Sequence, residues 1–185
     1  MEQFLYFQHK KNSMKQLISF FAIAAFSLSA VTVAAQDKSK RPSPPAKSTV
    51  TTTKGTTITI DYSQPSVKGR TIGTDIAPFG KVWRTGANEA TTFEVNKPVT
   101  IAGKKLEAGK YGLYTIPTEK EWTIIFNKKS DLWGDSGYSE TEDAVRVTSK
   151  PVKATTFAEK MTFTTAKSGL VTLTWGDVKV DFTVN

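Results

Sequence analysis

The fold class is indicated most clearly by the stretch VTLTWGDVKVDFTV, residues 171–184. Apolar residues alternate with polar ones in Val171–Trp175 and again in Val178–Val184, the period of two that is typical of a half-buried β-strand. Gly176 and Asp177 lie between the two runs, and glycine in the first of two turn positions suits a type II′ turn. The stretch therefore predicts an antiparallel hairpin.

The same alternation recurs upstream of this hairpin. Thr57–Tyr62 alternates in the same way, and Ala102-Gly103 separates two short runs as a tight hairpin turn does. Trp122–Phe126 is apolar on both faces, which favours a central strand covered on both sides. The chain has about eight or nine such runs, about 8–12 residues apart, and no long amphipathic helix. We therefore predict an all-β fold, an antiparallel two-sheet β-sandwich, with a closed β-barrel as the alternative.

Residues 1–35 are predicted to be a signal peptide. A positive flank at Lys10–Lys15 precedes the largely apolar run of residues 17–33, and cleavage is expected after Ala35. The alternative is a transmembrane anchor, but the run is short for a span and ends in small residues instead of a basic stop-transfer cluster. Met14 is a second candidate for the start of translation. We expect no membrane span after cleavage, and a mature protein that is periplasmic or secreted.

Residues 36–54 are predicted to be a disordered linker, because they are rich in Lys, Ser, Pro and Thr. Ordered structure is expected over residues 55–185, as a single β-sandwich domain. A chain of this length can form one real hydrophobic core.

The composition excludes several classes of function. Removing the leader lowers the net charge from +8 to +6, and the Lys residues are spread along the chain instead of clustering with aromatic side chains. We therefore do not expect nucleic-acid binding. The chain has no Cys, and its single His is His9, in the leader. This excludes nucleophile–histidine catalysis and His-ligated metal in the mature protein, for which we predict no metal and no cofactor.

The stretch richest in functional side chains is KVWRTGANEATT, residues 81–92. Gly86 and Ala87 let the backbone turn tightly between strand-like flanks. In a structural interpretation, Arg84 and Glu89 form a salt bridge across this turn and hold the loop. In a functional interpretation, the loop lines an open polar pocket. The sequence leaves both interpretations open.

The functional interpretation assigns roles to six residues. The arginines would clamp an anionic or hydroxylated ligand, the amide and carboxylate would bind its hydroxyl groups, and an aromatic ring would stack on it. The predicted ligand-binding residues are Trp83, Arg84, Asn88, Glu89, Arg70 and Tyr62.

Other groups with chemical potential have competing interpretations. Asp61 and Glu89 could be the carboxylate pair of a glycosidase-like enzyme, although the sequence does not determine their spacing. The acidic segment 131–143 is more typical of a solvated loop than of a calcium site. Trp133 in that segment either covers a neighbouring pocket or packs on the sheet edge. Four aromatic residues at strand spacing are expected in the core instead of a sugar-binding platform: Tyr111, Tyr114, Trp122 and Phe126.

Three blocks of the sequence carry a resemblance to a known family. They are residues 65–70, residues 79–92, and residues 108–117 followed by Trp122–Asn127. The blocks resemble the family named domain of unknown function 2911, and the central one, FGKVWRTGANEATT, is the most specific. The resemblance covers most of the predicted domain and implies an exported bacterial β-domain. It implies no activity and carries over no catalytic residue.

Together these observations predict an exported binding or envelope-accessory module without enzymatic activity. Its partner would be a small polar or carbohydrate-like ligand, or an envelope protein. The alternative is a carboxylate-dependent hydrolase or lyase acting on a carbohydrate-like substrate. Such an enzyme would need Glu89 in a cleft, with a second titratable group within reach and a raised pKa. A purely structural protein would have no pocket at this loop.

Overall fold

A computed structural model describes residues 37–185, and the predicted leader lies outside the described residues. One-turn 3-10 segments occur at Lys38–Lys40 and Glu140–Glu142. The rest of the regular structure is ten strands: β1 (Pro45–Thr51), β2 (Thr57–Ser63), β3 (Thr92–Val95), β4 (Val99–Ile101), β5 (Lys104–Leu106), β6 (Gly109–Ile116), β7 (Trp122–Asn127), β8 (Asp143–Ser149), β9 (Val152–Thr165) and β10 (Leu170–Thr183).

The strands form two antiparallel layers. The first is a six-stranded sheet in the order β1-β2-β3-β6-β7-β8. The second layer is the β9–β10 ribbon together with the β4–β5 hairpin. An isolated bridge between Ile101 and Val184 joins the two. Over residues 37–185 the first sheet ends at β1 and β8 and does not close on itself. The predicted sandwich is confirmed, and the closed-barrel alternative is not what forms.

The main core lies between the two layers and is rich in aromatic rings. Phe182 of β10 contacts Phe93 and Phe126 of the six-stranded sheet, with ring centroids 6.1 and 5.8 Å apart. Tyr62 meets Phe163 edge to face at 5.1 Å. Burying a side chain of this size stabilises the fold by about 1.5–3 kcal/mol. The alternating residues of each strand therefore hold the layers together without disulfides.

A smaller core lies on the outer face of the six-stranded sheet, the face away from the ribbon. Ile125 of β7 and Tyr114 of β6 are fully buried there. Leu132 and Tyr138, from the loop between β7 and β8, pack over them. β7 is therefore covered on both faces, as its apolar sequence predicted.

The predicted hairpin at the C-terminal end is wrong. β10 runs without interruption through Gly176 and Asp177, and it pairs with β9 on both sides of them, from Val171↔Thr165 to Lys179↔Val152. Gly176 has φ 60°, and the register of the β9–β10 ladder shifts on both sides of it. The buried residues have odd numbers before Gly176, in Val171–Trp175, and even numbers after it, in Val180–Val184. Glycine at positive φ occurs both at irregularities within a strand and in two-residue turns. The glycine in the sequence therefore could not distinguish the two structures.

The segment predicted as a linker contains an ordered strand. β1 pairs with β2 from Pro45↔Ser63 to Thr51↔Thr57. It forms an edge of the sheet, where alternate residues face water, and its polar composition therefore resembled that of a linker. Ordered structure consequently begins before residue 55, the predicted start of the domain.

Candidate functional site

The stretch from Trp83 to Glu89 is a loop fastened to the edge of the main core. The backbone of Trp83 forms two hydrogen bonds with Thr115 of β6, at 2.8 and 2.9 Å. Its indole Nε1 donates to the carbonyl of Gly86 at 3.2 Å, and its ring stacks on Trp175 at 5.3 Å. Trp83 is therefore a core residue that turns the loop outward, with one edge on a cavity described below.

Two residues of this loop have backbones in the left-handed region. Thr85 has φ 52° and Asn88 has φ 60°. For the β-branched Thr85 this conformation is strained, by an amount on the order of 1–3 kcal/mol. Its carbonyl accepts a hydrogen bond from the hydroxyl of Thr91 at 2.8 Å, and its own hydroxyl donates to that of Thr115 at 3.2 Å. The surrounding hydrogen bonds hold the strained geometry in place.

The salt bridge predicted between Arg84 and Glu89 is not formed within residues 37–185. The carboxylate of Glu89 binds Lys38 at 2.9 Å and Nη1 of Arg41 at 2.9 and 3.0 Å. Both partners lie in the N-terminal strap, the name used here for residues 37–44. Glu89 is therefore an anchor for a segment far from it in the sequence.

Asn88 also holds the N-terminal strap. Its Nδ2 donates to the carbonyl of Ser43 at 3.0 Å. The carbonyl of the neighbouring Pro44 accepts from the backbone N–H of Gln64 at 2.9 Å. Asn88 thus has a structural contact, and its role in binding ligand hydroxyls stays a prediction.

The ionisation of Glu89 argues against a role as general base. Burial raises its pKa, but hydrogen bonds from Lys38, from its own backbone and from Arg41 outweigh that effect and lower the pKa to about 2. A carboxylate with so low a pKa is a weak proton acceptor near neutral pH. This is the opposite of the raised pKa that the hydrolase or lyase hypothesis requires.

Arg84 faces a different space, the Arg84 cavity of about 410 Å³. Two further cations line it, Arg70 and Lys81, together with the carboxylates Asp75 and Asp135. Its apolar wall includes Trp83, Trp175, Ile76, Ala77 and Pro78. The cavity thus carries an excess of one positive charge beside an aromatic wall.

Most polar groups of the Arg84 cavity have protein partners, but two buried donors do not. Arg70 donates from Nε to Val67 at 3.1 Å and from Nη2 to Ser66 at 2.7 Å. By contrast, Nε of Arg84 and Nε1 of Trp175 are buried and make no hydrogen bond with the described residues. A buried donor without an acceptor costs about 1–3 kcal/mol. Such groups are uncommon in folded proteins and call for an explanation.

The remaining predicted site residue, Tyr62, belongs mainly to the core. Its hydroxyl accepts the backbone N–H of Phe163 at 3.0 Å. Burial raises the pKa of this phenol, and the hydrogen bond from Phe163 opposes the rise. Tyr62 borders a second space, the Glu89 cavity of about 450 Å³ on the outer face of the sheet. The predicted single site is therefore divided between two cavities, with Arg70, Trp83 and Arg84 on one and Tyr62 and Glu89 on the other.

Other sequence predictions have clear outcomes. The four aromatic residues expected in the core are all buried there. Trp133 pairs with Glu89 through a backbone bridge and is 62% exposed, so of its two predicted positions it does not take the one packed on the sheet edge. In the acidic segment, Asp143 binds Tyr138 at 2.8 Å and Arg146 at 2.6 Å. No group of residues suited to a metal ion occurs within residues 37–185.

Several residues at these cavities were not singled out from the sequence. Lys38 and Arg41 lay in the predicted linker, and Trp175 lay in a strand pattern that indicated only core. Lys81 was part of the central stretch, and its place three residues before Arg84 was the one available signal.

The family assignment rests on a match over almost the whole described domain. A model of the DUF2911 family, described as a protein of unknown function, matches residues 43–184. The chain belongs to the DUF2911 family. The match contains β1 and every residue of the Arg84 cavity, whereas Lys38 and Arg41 precede it. No curated protein and no solved structure matches this DUF2911 chain. Within residues 37–185, it has no helix with the length and apolarity to cross a membrane.

Proposed function

We propose that this DUF2911 chain is an exported binding module, without enzymatic activity, that holds a small anionic ligand in the Arg84 cavity. The observation that carries the proposal is the pair of unpaired buried donors, Nε of Arg84 and Nε1 of Trp175. Both belong to residues that line the same cavity. A ligand oxygen reaches either donor only after its side chain turns toward the cavity, and accepting from the donor then removes the cost of burying it.

The charges around the cavity support an anion in particular. Within residues 37–185, Arg84 and Lys81 form no ion pair, and Asp75 is partly occupied because it accepts the backbone N–H of Thr71 at 2.9 Å. An arginine fork suits a carboxylate or phosphate, which can accept two parallel hydrogen bonds. The cavity volume lies in the range that is typical of small-molecule sites.

Binding is favoured over catalysis by the position and ionisation of Glu89. This carboxylate does not line the Arg84 cavity, and its pKa is lowered to about 2. The cavity itself has two carboxylates, Asp75 and Asp135, opposite three cations.

Export is supported by the sequence of residues 1–35, with its basic flank, apolar run and small residues before Ala35. The mass of the protein recovered from the periplasm or medium measures the cleavage site directly. A chain that begins at Gln36 is expected. Recovery of the full-length chain with the membranes would contradict the export proposal.

The ligand proposal is tested by calorimetric titration with acetate, succinate, inorganic phosphate and neutral glycerol. We expect at least one anion to bind and glycerol to give no heat. Arg84→Gln should weaken anion binding by about 10- to 100-fold, the range for hydrogen bonds to charged groups. Lys81→Gln should weaken it less, whereas Lys120→Gln, at an exposed lysine in the turn before β7, is the matched control.

The same variants separate loss of binding from loss of fold. Because Nε of Arg84 has no partner to lose, Arg84→Gln should leave the melting temperature unchanged or slightly higher. The proposal fails if none of the three anions binds, or if Arg84→Gln binds as tightly as the parent protein.

A further inference from the structure

We propose that the Glu89 cavity is a second binding site, which accepts a neutral ligand with several hydroxyl groups, of the sugar or polyol class. The site is separate from the Arg84 cavity, and the N-terminal strap contributes to both. Lys38 lines the Glu89 cavity, and Ser43 lines the Arg84 cavity. The inference does not depend on the anion site.

The sheet register builds the floor of this cavity. Asp61 of β2, Thr92 of β3 and Gly112 of β6 lie side by side in one row of the outer face. Gly112 has no side chain, and a β carbon there would collide with the carbonyl of Lys129. The loop that follows β7 can therefore approach the sheet closely and form a wall. That wall is Ser130, Asp131 and Leu132.

Three hydroxyl groups in the cavity have no protein partner. Ser63 and Thr92 are buried, with 6% and 8% of their surface exposed, and Ser130 lies at the wall. None of the three hydroxyls forms a side-chain hydrogen bond with the described residues, and none is among the fully enclosed polar atoms that lack a partner, so all three remain open to the cavity. Each hydroxyl can donate and accept, which matches the hydroxyls of a sugar.

The charges of the cavity are largely compensated within the protein. Glu89 is paired with Lys38 and Arg41, and Asp61 binds Lys47 at 3.0 Å. Lys110 lies opposite Glu94 in the β3–β6 ladder without an ion pair, and Asp131 of the wall forms no ion pair with a described residue, so the cations and carboxylates around the cavity balance only in number. Groups whose charges are balanced can still form hydrogen bonds, but the cavity as a whole attracts neither anions nor cations. A neutral ligand is therefore favoured.

The cavity also offers apolar contact for the carbon atoms of a sugar ring. Ala90, Leu132, Tyr62 and Pro45 supply this surface between the polar groups. A volume of about 450 Å³ is ample for a small ligand. Hydroxyl partners combined with apolar walls distinguish this cavity from the cationic Arg84 cavity.

The test is calorimetric titration with glucose, N-acetylglucosamine and the β-1,4-linked dimer of each. We expect at least one sugar to bind to the parent protein. Thr92→Val keeps the shape of the side chain and removes one hydroxyl, so it should weaken binding by about 3- to 10-fold. Ser130→Ala, at the half-buried start of the wall, should have a similar effect with no change in folding.

The matched control is Thr59→Val. Thr59 also faces outward from β2, but its hydroxyl is bonded to that of Thr49 at 3.0 Å and does not line the cavity. Sugar binding should be unchanged in this variant. The inference is overturned if no sugar binds at tens of millimolar, or if Thr92→Val and Ser130→Ala bind as tightly as Thr59→Val.

Discussion

Arg84 and Glu89 are close in the sequence but serve different parts of the structure. Glu89 holds the N-terminal strap, while Arg84 lines a cavity with its Nε unpaired. Between them, Thr85 and Asn88 adopt positive φ values, which redirect the chain within a few residues. A loop of this kind can present consecutive polar side chains to opposite sides, and the strain at Thr85 is held by bonds to β6 and to Thr91.

At the residue scale, Glu89→Gln should reduce stability at neutral pH. The pKa of Glu89 is lowered from 4.5 to about 2 in the folded state, so its contribution is fully present above about pH 4.5 and is lost as the pH falls through about 2. Its side chain is 38% exposed, and solvent screening limits the contribution to about 1 kcal/mol.

Urea unfolding of the parent and Glu89→Gln proteins from pH 7 to pH 2 measures this effect. The difference between them should shrink below pH 4.5. Glu119→Gln, at an exposed glutamate in the turn before β7, serves as the control. A difference that stays constant down to pH 2 would show that the ion pairs with Lys38 and Arg41 do not contribute.

At the element scale, β10 is the strand whose interpretation changed most. Its alternation is interrupted at Gly176 and resumes on the other parity, which keeps Val180 and Phe182 in the core beyond the irregularity. The β9–β10 ladder absorbs the change through its shifts of register. One continuous strand can therefore supply both the Trp175 wall of the Arg84 cavity and the Phe182 contact with the opposite sheet.

Insertion of one glycine after Asp177 distinguishes a strand from a turn. In a continuous strand it would turn Val180, Phe182 and Val184 away from the core, because side chains alternate with a period of two. We expect a loss of about 5 kcal/mol or more, since each buried residue contributes about 1.5–3 kcal/mol. Circular dichroism and thermal melting measure it.

The control for this experiment is the same insertion after Lys167, in the exposed turn that joins β9 to β10. That insertion should cost little, because turns accommodate an added residue. If the insertion after Asp177 were equally harmless, the pair Gly176-Asp177 would be a turn after all.

At the scale of the whole molecule, the N-terminal strap and β1 are part of the domain. The strap is tied to Asn88 and Glu89, β1 completes the sheet beside β2, and Ser48 of β1 reaches Thr165 of the ribbon at 3.0 Å. Removing residues 37–54 would therefore open the edge of β2 and uncover the core beside Val50.

A chain that begins at Gly55 should be less stable than one that begins at Gln36. We expect a loss of about 2 kcal/mol or more, from the apolar contacts of Val50 and Ala46 and the lost ladder with β2. Urea unfolding compares the two chains, and size-exclusion chromatography reports association through the exposed β2 edge. Equal stability and an equal monomer fraction would support the linker interpretation instead.

Local patterns in the sequence were enough to identify the fold class. Alternation with a period of two marked most strands, and the two-sided apolar sequence of Trp122–Phe126 marked the central strand covered on both faces. The absence of histidine outside residues 1–35 also argued against histidine-dependent catalysis in the described domain. These conclusions depend only on residue type and short spacing, which the chain carries whatever its tertiary arrangement.

The composition of the sites was decided only by the tertiary structure. Lys38 and Arg41 meet Glu89, and Trp175 joins Arg84, because the order of the strands and the path of the strap bring distant segments together. Local patterns do not encode strand order, and a glycine signal such as Gly176 suits either a turn or an irregular strand. A polar edge strand such as β1 has the composition of a linker, and only its ladder with β2 distinguishes it.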